Sequence, residues 1–168
     1  MHDEKLDLVD EEDQVIGVLS RSEVYARGLH NIRVVNLFVV NNEGNLWIPR
    51  RTAHKKLYPL HLDMSMGGHV MSGEKYDEAF SRETQEELRI DVAKTPYRFL
   101  RHLTPHEHGV SAFMNVYEIT QDAAPDYNTD DFMEYFWLTP RDLLAWIASG
   151  EKTKSDLPKL IKIFYSHD

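Results

Sequence analysis

Between Gly67 and Ile90 the chain reads GGHVMSGEKYDEAFSRETQEELRI, and the acidic half of this stretch restricts the fold more than any other segment. Its spacing predicts a helix over about Glu74 to Leu88. With Glu83 at zero and about 100° per residue, Glu86 falls near −60° and Glu87 near +40°, so three carboxylates share one face. Ala79 and Ile90 lie in the same arc, and Tyr76, Phe80, Thr84 and Leu88 run beside it at i, i+4 spacing. The acidic face therefore borders the packing surface. Like charges three and four residues apart repel by a few tenths of a kcal/mol when exposed, and by more where water is excluded. Arg82 offsets one glutamate and leaves an excess of negative charge. Either this is a solvated acidic surface or a cation belongs there.

The sequence has no cysteine, which removes disulfides, thiolate metal sites and thiol nucleophiles. Oxygen donors remain, and clustered carboxylates about 2 Å from a centre are the usual cage for Mg²⁺ or Mn²⁺. The absence of cysteine fits a reducing compartment, and the acidic start MHDEKLDLVDEEDQ lacks the basic-then-apolar order of an export signal, so a cytoplasmic location is expected. A net charge of −9 with scattered Lys and Arg argues against duplex nucleic acid as a partner. The longest apolar run, Val34 to Val40, is broken by Asn36 and is far short of the roughly 20 residues of a membrane span. At 168 residues and 42% hydrophobic content, one domain with a packed core is expected.

LDLVDEEDQVIGVLS reads as two short strands around an acidic turn, and RSEVYARGL as one or two helical turns ending near Gly28. IRVVNLFVV, the turn NNEG and NLWIPRR read as a hairpin. Residues 52–62 form an expected loop containing Pro59, with a short strand in DMSMGG. Two strands, PYRFLRHLTP and GVSAFMNVYEIT, flank a histidine-rich loop PHEHG, and QDAAPDYNTDD is an acidic loop. EYFWL is the last strand. TPRDLLAWIASG is a helix with Thr139 as N-cap, Pro140 at the first position and Gly150 as stop, and DLPKLIKIFYSH is a final amphipathic helix. Strands and helices mix without βαβ alternation, which suggests an α/β or α+β sandwich around a mixed sheet.

The string Gly68, five residues, Glu74, seven residues, Arg82-Glu83, two residues, Glu86-Glu87 and the final Ile90 resembles a Nudix box. Two positions depart from that pattern, Thr84 where an apolar residue is usual and Arg89 where a glycine ends the helix. The resemblance runs from about Arg33 to Ser149. It implies a helix-sheet-helix sandwich in one domain over 1–168, with residues 1–30 as an N-terminal extension and the box at 68–90. It also implies that Glu83, Glu86 and Glu87 hold one to three divalent ions, Mg²⁺ or Mn²⁺, with the Gly67 carbonyl completing the shell. Arg82 is implied to orient a glutamate by an ion pair, and Glu74 to support the loop. The implied activity is metal-dependent hydrolysis of a phosphoanhydride bond in a nucleoside di- or triphosphate, or in a nucleoside diphosphate linked to another moiety. Glu83 or Glu86 can act as general base, as can a loop carboxylate, for which Glu107, Asp130, Asp131 and Glu134 are candidates. Homodimers are frequent in the family.

The flanks LDLVDEEDQVIG, WIPRRTAHKKLYP and MSMGGHV resemble the Nudix proteins related to isopentenyl diphosphate isomerase. In those isomerases a cysteine stands where this chain has Gly67, and two upstream metal-binding histidines align with Tyr25 and Ile32, with His30 nearby. His69 matches a third, and the downstream acidic pair falls near His106 and His108, which makes these histidines candidates for a second metal site. Isomerisation is thereby disfavoured and hydrolysis favoured, with a non-catalytic nucleotide-binding module as the other alternative. Arg51 and Lys55 match diphosphate-binding positions of the same relatives, and a guanidinium fork with a flexible ammonium suits phosphate oxygens. Trp137 and Leu138 are expected in the core, while Tyr58, Tyr127 and Phe132 are candidates for stacking on a base.

Overall fold

In the computed structural model, which describes residues 3–166, the N-terminal segment forms a hairpin of β1 (Lys5–Val9) and β2 (Val15–Ser20). A short helix α1 (Arg21–Ala26) follows, its first turn capped by Ser20, whose hydroxyl accepts the Glu23 N–H. The chain continues through β3 (Arg33–Val40), β4 (Leu46–Arg51), β5 (Met66–His69), α2 (Tyr76–Leu88), β6 (Arg98–Leu103), α3 (Pro105–His108), β7 (Phe113–Thr120), β8 (Phe132–Leu138), α4 (Pro140–Ala148) and α5 (Asp156–Phe164).

The main sheet runs β6-β7-β3-β4-β8, with β5 added to β3. It is mixed, because β3 and β7 are parallel over eight residue pairs whereas the other pairings are antiparallel. Successive side chains of a strand point to opposite faces. Val35, Leu37 and Val39 accordingly pack with Ala79, Phe80 and Leu88 of α2, while Phe38, Leu46, Ile48 and Val116 pack with Leu143, Leu157 and Leu160 of α4 and α5. The result is the expected helix-sheet-helix sandwich. Trp137 packs against the α2 side and Leu138 against the other, both inward as expected.

The NNEG hairpin departs from a regular ladder. β3 and β4 pair only at Val40 and Leu46, next to the turn, and then separate. Ser65 spans the opening, its hydroxyl accepting the Val39 N–H at 2.8 Å and donating to the Trp47 carbonyl at 2.7 Å. Beyond it β5 occupies the gap on the β3 side, with Val35 opposite Gly68 and Asn36 opposite Gly67. The separation leaves one edge of β5 facing a cleft. The PHEHG segment, expected as a loop, is the one-turn helix α3, capped by the Thr104 hydroxyl on the Glu107 N–H and closed by Gly109 in the left-handed region. The N-terminal unit joins the rest through Leu6, Val24, Ile32 and Ala112, and through a bridge between Leu6 and Met71. No helix among the described residues is long and apolar enough to cross a membrane.

Candidate active site

α2 starts one turn beyond a tight loop that Glu74 and Arg82 hold in place. The Glu74 carboxylate accepts the Met71 N–H at 3.0 Å and takes both Nε (2.9 Å) and Nη2 (3.0 Å) of Arg82. Nη2 also reaches the His69 carbonyl at 3.1 Å, and Nη1 donates to Glu83 Oε1 at 2.6 Å. One guanidinium thus joins strand, loop and helix and fixes the direction of Glu83. Its bonds to Glu74 and Glu83 keep Arg82 charged. Burial pushes the Glu74 carboxyl up, but the bonds from Arg82 and Met71 outweigh it and hold Glu74 below the usual carboxylate range. Gly68 is required by the same arrangement, since a Cβ there would stand 2.5 Å from Cγ and Cδ of Glu83.

Glu83 and Glu87 lie one helical turn apart on the acidic face of α2. Burial raises both carboxyls above the ordinary glutamate value. Glu87 is raised further by the charges of Glu83, Asp131 and Asp63. Two carboxyls this close, partly withdrawn from water, cannot both ionise cheaply without a positive partner. Arg82 is committed to Glu74 and to the far oxygen of Glu83. Glu86, 57% exposed, lies 3.6 Å from Arg82 Nη1 and completes the acidic face. As placed, no three His, Asp or Glu side chains among the described residues converge into a finished cage.

These carboxylates line a cleft of about 780 Å³ whose other walls come from far along the chain. Arg51 Nη1 donates to Asp63 Oδ2 at 2.8 Å, and Lys55 Nζ to Asp131 Oδ1 at 2.7 Å. Both expected phosphate-binding cations therefore line the same cleft as the acidic helix face, each bonded to an aspartate. Lys154, at the start of the α5 region, lies 3.5 Å from Asp63 Oδ1. Neither Asp63 nor Lys154 stands out in the sequence. Asp63 is a lone acid among apolar residues and Lys154 one of several lysines near the C-terminal end, so only tertiary structure brings them together. α1 also lines the cleft, which gives the N-terminal extension a share in the site.

Tyr25 of α1 stands beside His69, as the aligned positions suggested, with its hydroxyl 2.7 Å from His69 Nε2 and the rings edge to face. Burial is the main force lowering His69 to about 3, so the ring is neutral near neutrality and shares a hydrogen bond with the Tyr25 hydroxyl. His30 is not in this pair, its Nδ1 being 2.9 Å from the Ser111 carbonyl. His106 packs against Phe113, and His108 Nδ1 accepts the Thr104 N–H. The histidines considered for a second metal site are thus not brought together.

Of the four loop acids, Asp131 reaches the cleft. Asp130 turns its carbonyl to Thr52 and His54, Glu107 pairs with His106, and Glu134 is bonded by Arg50. Phe132 is buried edge-on against Trp47, and Tyr127 packs into the same aromatic group, so neither presents a free ring for a base. Tyr58 remains exposed at the cleft.

The two unusual box positions have structural explanations. Thr84 is fully buried in the place of an apolar residue, and its hydroxyl has no partner among the described residues. Arg89 itself takes the left-handed conformation (φ 52°, ψ 37°) of a helix-ending glycine, its N–H returning to Gln85. Its side chain crosses to the carbonyls of Asp126 and Tyr127, while Asn128 donates its backbone N–H to the Glu87 carbonyl at 2.8 Å. These bonds hold the acidic loop against the end of α2 and set Asp131 beside Glu87.

Residues 30–158 match the NUDIX domain family. An uncharacterized Nudix hydrolase of Nostoc sp. is 56% identical over 98% of this chain and 97% of its own length, and a Nudix hydrolase of Deinococcus radiodurans is 46% identical over 99% and 96%. A crystal structure from Deinococcus radiodurans superposes with a TM-score of 0.92 at 45% identity, covering 97% of this chain and all of that one. An isopentenyl-diphosphate Delta-isomerase of Photorhabdus laumondii is also similar, at 25% identity over 89% of this chain and 87% of its own.

Proposed function

Because the chain belongs to the Nudix hydrolases, a family that hydrolyses pyrophosphate bonds, we propose that it cleaves a phosphoanhydride in a nucleoside di- or triphosphate, or in a nucleoside diphosphate conjugate, with Mg²⁺ or Mn²⁺ bound to the box helix. The observation that carries this is the Glu83 and Glu87 pair, two partly buried carboxyls one helical turn apart in a cleft that Arg51, Lys55 and Lys154 also line. The donor set is all oxygen, with Glu86 free to swing in and Gly67 beside it, which fits a hard cation. An ion held there would neutralise phosphate oxygens and supply a nucleophilic water at neutral pH.

The protein's own residues do the rest. Arg82, pinned by Glu74, holds Glu83 on the site with one oxygen occupied, so the other faces the cleft. Gly68 gives Glu83 room to lie against β5. Arg51 and Lys55 bind phosphate oxygens and orient the bond to be broken. Asp131, the loop carboxylate at the cleft, is placed to take a proton from the attacking water, and Lys55 holds its Oδ1.

Isomerisation of isopentenyl diphosphate lacks its residues here, since the chain has no cysteine and the place of an upstream histidine is filled by Tyr25, bonded to His69. Hydrolysis should be screened across nucleoside di- and triphosphates, sugar nucleotides, dinucleotides and coenzyme A, with and without chelator. Turnover that needs divalent metal and falls at least about a hundredfold in Glu87→Gln is expected. Ligand binding with no turnover on any substrate would instead identify a binding module.

A further inference from the structure

Lys154 lies outside the box, in a segment with no motif, yet it lines the cleft. A Cβ built on Gly67 would stand 3.6 Å from Lys154 Nζ and 2.8 Å from Asn36 Oδ1, so the strand next to the carboxylates is bare on the side where this lysine arrives. The backbone behind it is held. Leu62 N–H donates to Lys152 O at 2.9 Å, Lys154 N–H returns to Leu62 O at 3.0 Å, and Leu62 in turn bridges to Arg50 of β4. The lysine is therefore presented by a sheet-like lane and not by a free tail.

Its counter-ion is shared. Asp63, whose side chain is 3% exposed, is already bonded by Arg51 Nη1 at 2.8 Å and by the Met64 N–H at 2.7 Å. Lys154 stands at a looser 3.5 Å from its other oxygen. One carboxylate between two cations leaves a surplus positive charge, and Arg51 and Lys154 both line the cleft. A lysine serving only to neutralise Asp63 would be redundant with the closer guanidinium.

We propose that Lys154 is a substrate-binding residue that, with Arg51 across the shared Asp63, grips the phosphate of the diphosphate group on the side of β5 away from Glu83. The proposal rests on the hydrolase assignment for its substrate class, a diphosphate, but is tested on binding. Inorganic pyrophosphate with magnesium, titrated calorimetrically into the full chain, should bind Lys154→Met at least about tenfold more weakly than wild type. Lys154→Arg should restore affinity to within about threefold, and Lys162→Met, an exposed α5 substitution, should not change it. On a hydrolysed substrate the same Lys154→Met change should raise KM with kcat within about threefold, the pattern of lost ground-state binding. If the methionine variant does not fold, Lys154→Gln replaces it in the same comparison. Equal affinity of wild type and the neutral variant overturns the proposal, as does a loss that arginine does not rescue. Turnover in wild type with no dependence on Lys154 removes this inference alone. Pyrophosphate binding that depends on Lys154 in a chain with no turnover removes the hydrolase assignment alone.

Discussion

Replacing Glu87 with glutamine should stabilise the metal-free protein at neutral pH while abolishing its activity. Both carboxyls of the Glu83 and Glu87 pair are raised above the ordinary value of 4.5, chiefly by burial and for Glu87 also by Glu83 itself. A carboxyl whose folded value is raised contributes stability that is complete below about pH 4.5 and is lost as pH rises through the folded value. At pH 7.5 without metal, the pair therefore weighs against the fold. Two unit charges about 4 Å apart repel by up to ~4 kcal/mol at an effective dielectric near 20. Arg82, bonded to Glu83, relieves part of this, so a gain of roughly 1–2 kcal/mol is expected from neutralising Glu87. For a domain of this size that raises Tm by about 2–8 °C.

The assay is thermal unfolding in chelator at pH 4.5, 6.0 and 7.5, wild type against Glu87→Gln. The difference should be near zero at pH 4.5, where the wild-type carboxyl already carries its proton, and largest at pH 7.5. His69 acts in the opposite sense, because an imidazole lowered to about 3 loses stability for the fold as pH drops below about 6.5. Both chains share that effect, so it cancels in the difference. Magnesium should raise the wild-type Tm at pH 7.5 and leave the variant nearly unmoved. A variant less stable than wild type at pH 7.5, or a gain independent of pH, would show that the two carboxyls are not held against their charge and would remove the physical basis for a cation site.

Three further outcomes follow from single contacts. Gly68→Ala places a methyl 2.5 Å from Glu83, so it should cut metal-dependent turnover at least about a hundredfold, measured as kcat/KM at saturating metal. Thr84→Val removes a buried hydroxyl with no partner and keeps the shape, so chemical denaturation should show about 1 kcal/mol of added stability with unchanged kcat. At Arg89, where φ is 52°, the glycine variant should be about 1 kcal/mol more stable than the alanine variant, since both lose the loop contacts and only alanine keeps the left-handed strain.

The box helix was legible because its logic is local. Helical spacing puts Glu83, Glu86 and Glu87 on one face, and the loop from Gly68 to Arg82 is closed by residues within that string. The sandwich was legible because strands and helices mix along the chain without βαβ alternation, an order that points to helices packed on a mixed sheet. Less visible was the parting of β3 and β4, which depends on Ser65 arriving from a later segment to bridge Val39 and Trp47. Asp63, Lys154 and the role of α1 were hidden because nothing local distinguishes a solvated lysine from one that a distant carboxylate receives. The histidine loop misled through composition: His106 and His108 suggested ligands, but one packs on Phe113 and the other caps its own turn.

The two glycines of β5 explain why box and cleft differ in legibility. Adjacent residues of a strand face opposite ways, so Gly68 opens toward Glu83 on the α2 side and Gly67 toward Asn36 and Lys154 on the α5 side. Without side chains, β5 becomes a thin partition between an acidic and a basic half-site. The acidic half is written by one contiguous string. The basic half is assembled from β4, the 52–63 segment and the approach to α5, three pieces joined by the lane through Leu62 and by the ion pairs of Asp63. A side chain at Gly67 would enter that half first. Gly67 is thus the position where a single substitution would meet the lysine without touching a carboxylate.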